Sequence, residues 1–344
     1  ASYDLPRLEE MHDEFRAIGL EDHYQLLDAR ETEDRIRVAN AAGSFWNRDG
    51  AAIQPARLVR GLARAVERHG GTIYEGTCVT DYVPGPLPRL DTDRGNISAK
   101  AIVLAGEAYL SRLPKLRRRI VPATSHIVLT EPLSDDLWRQ IGWERREVVG
   151  GFGTTGAYLQ HTADGRIAFG PYRGKYPFNS TISDALDRRE DIFEHGRRSA
   201  LEWFPMLREA GVRFSHAWGG VFGIPRDHMP IMRYDRHTGV AMAYGYTGEG
   251  VATANLSGRV LADMITEADT DLTRLPMTHH EPIDWEPEPI RWAGYSIVRR
   301  GRYRADQDVE RTGGYPEKPN LSQRLWNLEP PRAWRSLWRM GGPR

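Results

Sequence analysis

Cysteine is nearly missing from this chain. Cys78 stands alone among 344 residues, so no intrachain disulfide forms and a cysteine-based metal cluster lacks its ligands. Charge of one sign is missing as well. Lys plus Arg and Asp plus Glu both number 47, which argues against a general nucleic-acid binder. No apolar run approaches the roughly 18 residues of a transmembrane span, and no signal peptide is visible. With a single cysteine, these features predict a cytoplasmic protein. No internal repeat occurs. A strand followed by G-x-G-x-x-G and a helix, the dinucleotide-binding unit, is also lacking.

What is present begins with a 40% hydrophobic composition, enough for a sizeable core in one large domain or two. Leu8, Met11, Phe15 and Ile18 share one face of a helix within residues 1–20. Pro55 opens a second helix, with Leu58, Leu62, Ala65 and Val66 on one stripe and Gly70 and Gly71 at its end. TIYEGTCVTDY (72–82) reads as a strand. GNISAKAIVLAGEAY (95–109) reads as a strand pair or one long strand, and AIVLAG is of the fully buried kind that parallel sheets use.

Beyond Pro122 the character changes. SHIVLTEPL, REVVGGFGTTGAYLQHT and GRIAFGPYR are strand-like stretches joined by glycine turns, which predicts an antiparallel sheet. DALDRREDIFEHGRRSALEWF (184–204) is an amphipathic helix stopped by Pro205. HAWGGVFGIPRDHMPIM and GVAMAYGY are further strands. After about residue 270, a segment rich in Pro, Trp and Arg with little periodicity is expected to be an extended tail held to the surface by its tryptophans. The expected fold class is α/β, α+β overall: a partial FAD/NAD(P)-binding three-layer domain (1–112 and 211–268), a mostly antiparallel substrate or cap domain (113–210) and a C-terminal extension (269–344).

The stretch YGYTGEGVATANLSGRVLADMI (244–265) places Gly245, Gly248 and Gly250 ahead of a helical run. A glycine turn feeding a helix start offers unpaired N–H groups to an anion. Taken alone, it is equally a turn capping a core helix. Its G-x-x-G-x-G spacing is not the dinucleotide fingerprint.

Four segments, in order, resemble the D-amino-acid oxidase / glycine oxidase / sarcosine oxidase superfamily of FAD-dependent oxidoreductases. They are IQPARLVRGLARAVERHGGTIYEGTCV, AIVLAGEAY, WGGVFGIPRDHMPIM and GYTGEGVATANLSGRVLADMI, and together they cover about residues 50–268. The long DRRE helix and the tail WEPEPIRWAGY resemble the γ-glutamylputrescine oxidase branch. The resemblance implies FAD as cofactor and oxidation of a small amine or amino-acid derivative to an imine, by hydride transfer to flavin N5, with O2 or another electron acceptor. Family members open with the ADP-binding unit that is lacking here. The expectation is that an upstream segment of the protein carries that unit; the alternatives are a partner chain that supplies the ADP half, or a degenerate, non-catalytic subunit. An FAD-dependent hydroxy-acid dehydrogenase is a third reading.

The resemblance also assigns residues. Cofactor contacts fall on Val79, Ala105, Gly106, Gly219, Gly220, Gly245, Tyr246, Gly248, Gly250, Val251 and Ala252. Amides near Gly250, Val251 and Ala252 are expected to face the pyrimidine edge of the flavin, and Gly220 replaces the cysteine that binds flavin covalently in some relatives. The two positions that hold a substrate carboxylate in the family fall on Phe222 and Ala252, neither of them basic. A reacting amine without an adjacent carboxylate is therefore expected, because a buried unpaired charge is costly. Tyr246, Phe222 and Tyr158 are the expected aromatic contacts for it. No metal site is expected, and no catalytic acid–base residue is singled out.

Overall fold

In the computed structural model, residues 1–151, 156–315, 318, 321 and 324 are described. The chain starts with helix α1 (Leu5–Arg16), with a proline in its first turn, and the hairpin-like pair β1 (Tyr24–Asp28) and β2 (Gly43–Asn47) that brackets the short α2 (Ala29–Glu33). Asp28 caps α2, taking the Glu31 amide at 2.8 Å while Glu31 returns to the Asp28 amide. Helix α3 (Pro55–Arg68) starts with Pro55 and the Gln54 side chain on the Arg57 amide.

A three-stranded sheet follows, β3 (Val79–Val83), β4 (Arg89–Thr92) and β5 (Gly95–Ser98), in sequential antiparallel order. The strand expected over 72–82 is thus confined to its last residues. β6 (Ile102–Leu104) leaves for another sheet. It runs parallel to β13 (Val240–Tyr244), as the buried AIVLAG run predicts, and β13 pairs antiparallel with β12 (Ile231–Asp235). Ile102, Leu104, Ile231, Val240 and Tyr244 form one core there.

The largest sheet has the order β11-β7-β10-β9-β8, all antiparallel: β7 (Val121–Thr130), β8 (Val149–Gly150), β9 (Ala157–His161), β10 (Ile167–Pro171) and β11 (Phe214–Ile224). Residues 152–155 of the GFGTTG stretch lie outside the described residues. Helices α4 (Asp135–Ile141), α5 (Glu190–Trp203) and α6 (Pro205–Glu209) accompany this sheet. Period-two alternation sends Val128, Leu159 and Phe169 to one face, where they pack with Phe193, Ala200 and Phe204. Residues 36–39 join this side rather than a cofactor domain. Ile36 is in its core, the Arg37 amide bonds Ile141 O at 2.9 Å, and the Ala39 amide bonds Trp203 O at 2.9 Å. β11, expected with 211–268, instead bonds β7 along its whole length.

Helix α7 (Gly250–Thr266) follows β13, then the short α8 (Pro276–His279). The expected extended tail contains a 23-residue helix, α9 (Ile290–Thr312), preceded by Trp285, which is buried and donates Nε1–H to Ile224 O at 2.8 Å. Among the described residues, no helix is long and apolar enough to cross a membrane.

Candidate functional site

The second face of the five-stranded sheet carries a small core at one end, where Val121, Ala123 and Ile224 pack with Tyr176 and Trp285. Directly opposed residues share a face, so Trp218, Gly220 and Phe222 of β11 stand with Ile127, Ser125 and Ala123 of β7. Tyr158 and Gln160 of β9 stand with Gly170 and Ala168 of β10 on this same face. The Tyr158 ring lies over Gly170, where a Cβ would approach within 2.0 Å of the ring, and its phenol bonds Ser125 Oγ at 2.7 Å. Burial raises the pKa of that phenol. Tyr172, just past β10, adds a second ring with its centroid 5.9 Å away. Burial also raises the Tyr172 pKa, and the negative charge of Glu249 adds to the rise. The aromatic face therefore comes within electrostatic reach of the residue before α7.

The glycine loop joins this face through the backbone. The Thr247 amide donates to Gly223 O of β11 at 3.1 Å. Gly245 and Gly248 hold φ of +83° and +100°, a region that a side chain disfavours. Glu107, which follows Gly106, fixes the start of the loop. Its Oε1 accepts the amides of Gly245 at 3.0 Å and Tyr246 at 2.9 Å, while Oε2 is buried without a hydrogen-bond partner. Glu107 itself sits at φ +48°, a left-handed conformation uncommon outside glycine, asparagine and aspartate. These bonds bring the Gly106 turn beside Gly245–Tyr246.

Two features leave room and charge for a flat, electron-rich group. Helix α7 has seventeen residues and no side-chain cap at its start, so its first amides keep their partial positive charge. A Cβ at Gly220 or Gly248 would meet open space, and Val251 is 53% exposed. Gly219 differs: its Cβ would stand 2.6 Å from His126 Cδ2.

The expected site residues are not all gathered. Gly219, Gly220, Phe222 and Tyr158 share one sheet, and Gly106, Gly245, Tyr246 and Gly248 meet through Glu107 and the loop. Val79 lies at the exposed start of β3, in a different sheet, and Ala105 is exposed beyond the end of β6. Tyr246 turns toward α7, where Ser257 lies beside its phenol, and burial raises its pKa. Phe222 instead packs with Trp285 and Tyr295.

Several residues near the site were not singled out in the sequence: Glu107, Tyr172 and the arginines of α9. Glu107 had one available signal, a charged residue directly after the glycine of a buried strand's turn. Arg226 and Asp227 fix the turn after β11 through Glu286 at 2.9 Å and the Met229 amide at 3.1 Å. Asp227 also contacts His280 at 2.7 Å, so His280 serves that turn. Among the described residues, no group of three His, Cys, Asp or Glu side chains is placed to hold a metal ion.

Helix α7 packs on β12 and β13, and the glycine loop that leads into it meets the end of β11 through Thr247 and Gly223. Residues 1–264 match the model of the DAO family, described as FAD dependent oxidoreductase, and the chain belongs to that family. It is 29% identical over 264 residues to gamma-glutamylputrescine oxidoreductase of Escherichia coli K12, covering 76% of this chain and 58% of that protein. It is 30% identical over 259 residues to a probable oxidoreductase, OrdL, of Rhizobium meliloti, covering 74% and 56%. The chain thus spans less than two thirds of these relatives. The solved glycine oxidase of Geobacillus kaustophilus superposes with a TM-score of 0.68 at 20% identity, over 82% of this chain and 73% of that one, and shares the fold.

Proposed function

We propose that this protein oxidises an amine or amino-acid derivative to an imine, with FAD as the electron acceptor. FAD would supply the acceptor for a hydride from the carbon next to the amine nitrogen, and water would hydrolyse the resulting imine. The observation that carries this reading is the docking of the glycine loop on β11 through Thr247 N–H and Gly223 O. It brings the loop that leads into α7 to the end of β11, the strand that also carries Gly220.

The residues suit their tasks. Gly220 and Gly248 allow close backbone approach to a ring. The amides of Gly250, Val251 and Ala252 at the uncapped start of α7 would stabilise negative charge on the reduced cofactor. The Tyr158 and Tyr172 rings supply a face for a cationic amine, and the high pKa of both phenols keeps them neutral. This chemistry depends on orientation more than on a strong base. The names of relatives that act on γ-glutamylputrescine, glycine and sarcosine support an amine donor. Neither a non-catalytic subunit nor a hydroxy-acid dehydrogenase gains a specific observation.

The test is absorbance of the polypeptide expressed from its full reading frame. The reading predicts flavin bands that bleach when an amine is added without oxygen. A protein that stays colourless with added FAD, or that bleaches only with hydroxy acids, overturns it.

A further inference from the structure

A cavity of about 400 Å³ opens where the Phe222 end of β11 meets the glycine loop and helix α9. It adjoins the place given above to the reacting amine. Phe222 shares a face of β11 with Gly220, Thr247 belongs to the glycine loop, and Arg302 comes within electrostatic reach of the Tyr172 phenol. The guanidinium groups in its lining already have partners. Glu286 holds Arg226 at 2.9 Å, and Glu288 holds Arg291 at 3.1 Å. Arg299 donates to Gly174 O at 3.0 Å and to the Tyr303 hydroxyl at 2.7 Å, and Arg302 is engaged as well. The apolar lining is not so occupied. Ile290, Gly294 and Ile297 recur at helical spacing on one face of α9, and all three border the cavity. Ile290 is 62% exposed and Ile297 48%, so much of their surface still meets water. Phe222, Trp285 and Val298 complete this side.

We infer that this cavity takes the hydrocarbon tail of the amine, and that helix α9 thereby selects an apolar monoamine. The proposal rests on the amine-oxidising reading and narrows its donor. Helix α9 lies beyond the residues 1–264 that match the family, so the selecting wall comes from a part of the chain that the match does not reach. An alkyl chain laid along Ile290, Ile297 and Phe222 leaves water together with their exposed surface. A second ammonium group would meet guanidinium groups of its own sign. A terminal carboxylate would give up its hydration to arginines whose donors are already committed. The bonds made and broken are those of the reaction given above, and the tail is unchanged.

Anaerobic flavin reduction by butylamine, pentylamine and hexylamine, beside hexane-1,6-diamine and 6-aminohexanoate, tests the inference in the unmutated protein. The kcat/KM should rise about fourfold with each added methylene, the gain from burying one CH2 group. Hexylamine should exceed both charged analogues by about tenfold or more. A Cβ at Gly294 would meet open space, so Gly294→Leu can fill the cavity from the helix itself. It should flatten the rise with chain length, mainly through KM, and leave butylamine close to its parent value. Hexan-1-ol, which has no amine, should bind the flavin-loaded parent protein with a negative heat-capacity change in calorimetry and compete with hexylamine. A response flat in chain length, a preference for the acid or the diamine, or reduction by glycine and sarcosine alone overturns the inference and leaves amine oxidation standing. If neither this panel nor glycine and sarcosine reduces the flavin, the broader reading falls and this inference falls with it.

Discussion

At the scale of single residues, two neighbouring glycines separate folding from cofactor binding. A methyl group at Gly219 would press on His126 and on the backbone of Asp187, whereas one at Gly220 would stand in open space. Gly219→Ala should therefore lose about 1–3 kcal/mol of stability from overpacking. Gly220→Ala should stay within about 0.5 kcal/mol of the parent protein, as surface changes do, yet retain less flavin. Denaturant titration beside the flavin-to-protein absorbance ratio checks the pair; equal flavin retention in Gly220→Ala and the parent would remove Gly220 from the cofactor site. Glu107 is the other decisive residue. Glu107→Ala abandons two amides and should cost about 2–4 kcal/mol, whereas Glu107→Gln keeps an acceptor and should cost less. Thermal unfolding of the two variants ranks them, and equal costs would mean that the amide contacts do not stabilise the loop.

At the scale of elements, α3 is the exception to inward packing. Leu58, Leu62 and Val66 are 43%, 57% and 48% exposed, although they belong to the stripe that marks the helix as amphipathic, and Val59 beside them is 64% exposed. Apolar side chains already in water have little transfer energy to lose. Leu62→Gln should lower binding of a hydrophobic dye while shifting stability by no more than about 0.5 kcal/mol. Ile141→Ala, at a fully buried position, should cost about 2–5 kcal/mol. Similar unfolding midpoints for the two variants would contradict this contrast. The stripe was legible because its period is 3.6, and AIVLAG was legible because a parallel strand is apolar throughout. The partner of β11 was not, since a strand's sequence does not say which sheet it joins. Helix α9 stayed hidden because its inward side includes Arg291 and Asp306, buried at 3% and 8%, beside Ala305 and Val309. Buried polar residues break the pattern on which a helix reading depends. Within the site, glycines were readable and Glu107 was not, because its value lies in amides 138 and 139 positions away.

Across the whole molecule, acid stability depends on three histidines held neutral. Burial lowers the pKa of His126 and His161 and, with Arg173 and Arg198 nearby, brings His195 to about 4. Each binds fewer protons in the fold than in the unfolded chain, whose histidines titrate near about 6.5. Their stabilising contribution is thus complete above that pH and declines as pH falls toward the folded values. The melting temperature should drop from about pH 6.5 to about pH 4, and His195→Gln should flatten part of that slope. A slope unchanged in the variant would mean that His195 already protonates freely in the fold.

The long pairing of β11 with β7 also has a temporal side. It joins residues 214–224 to residues 121–130, and Gly223 then receives Thr247. Closing contacts between distant stretches is slow, because chain entropy is spent before the contact repays it. The glycine loop can reach its working position only after that strand has found its register, so competence to bind a cofactor should appear late in refolding. In pulsed hydrogen exchange, the Thr247 amide should gain protection after the β11 amides; simultaneous or earlier protection would place the loop in the first structure to form.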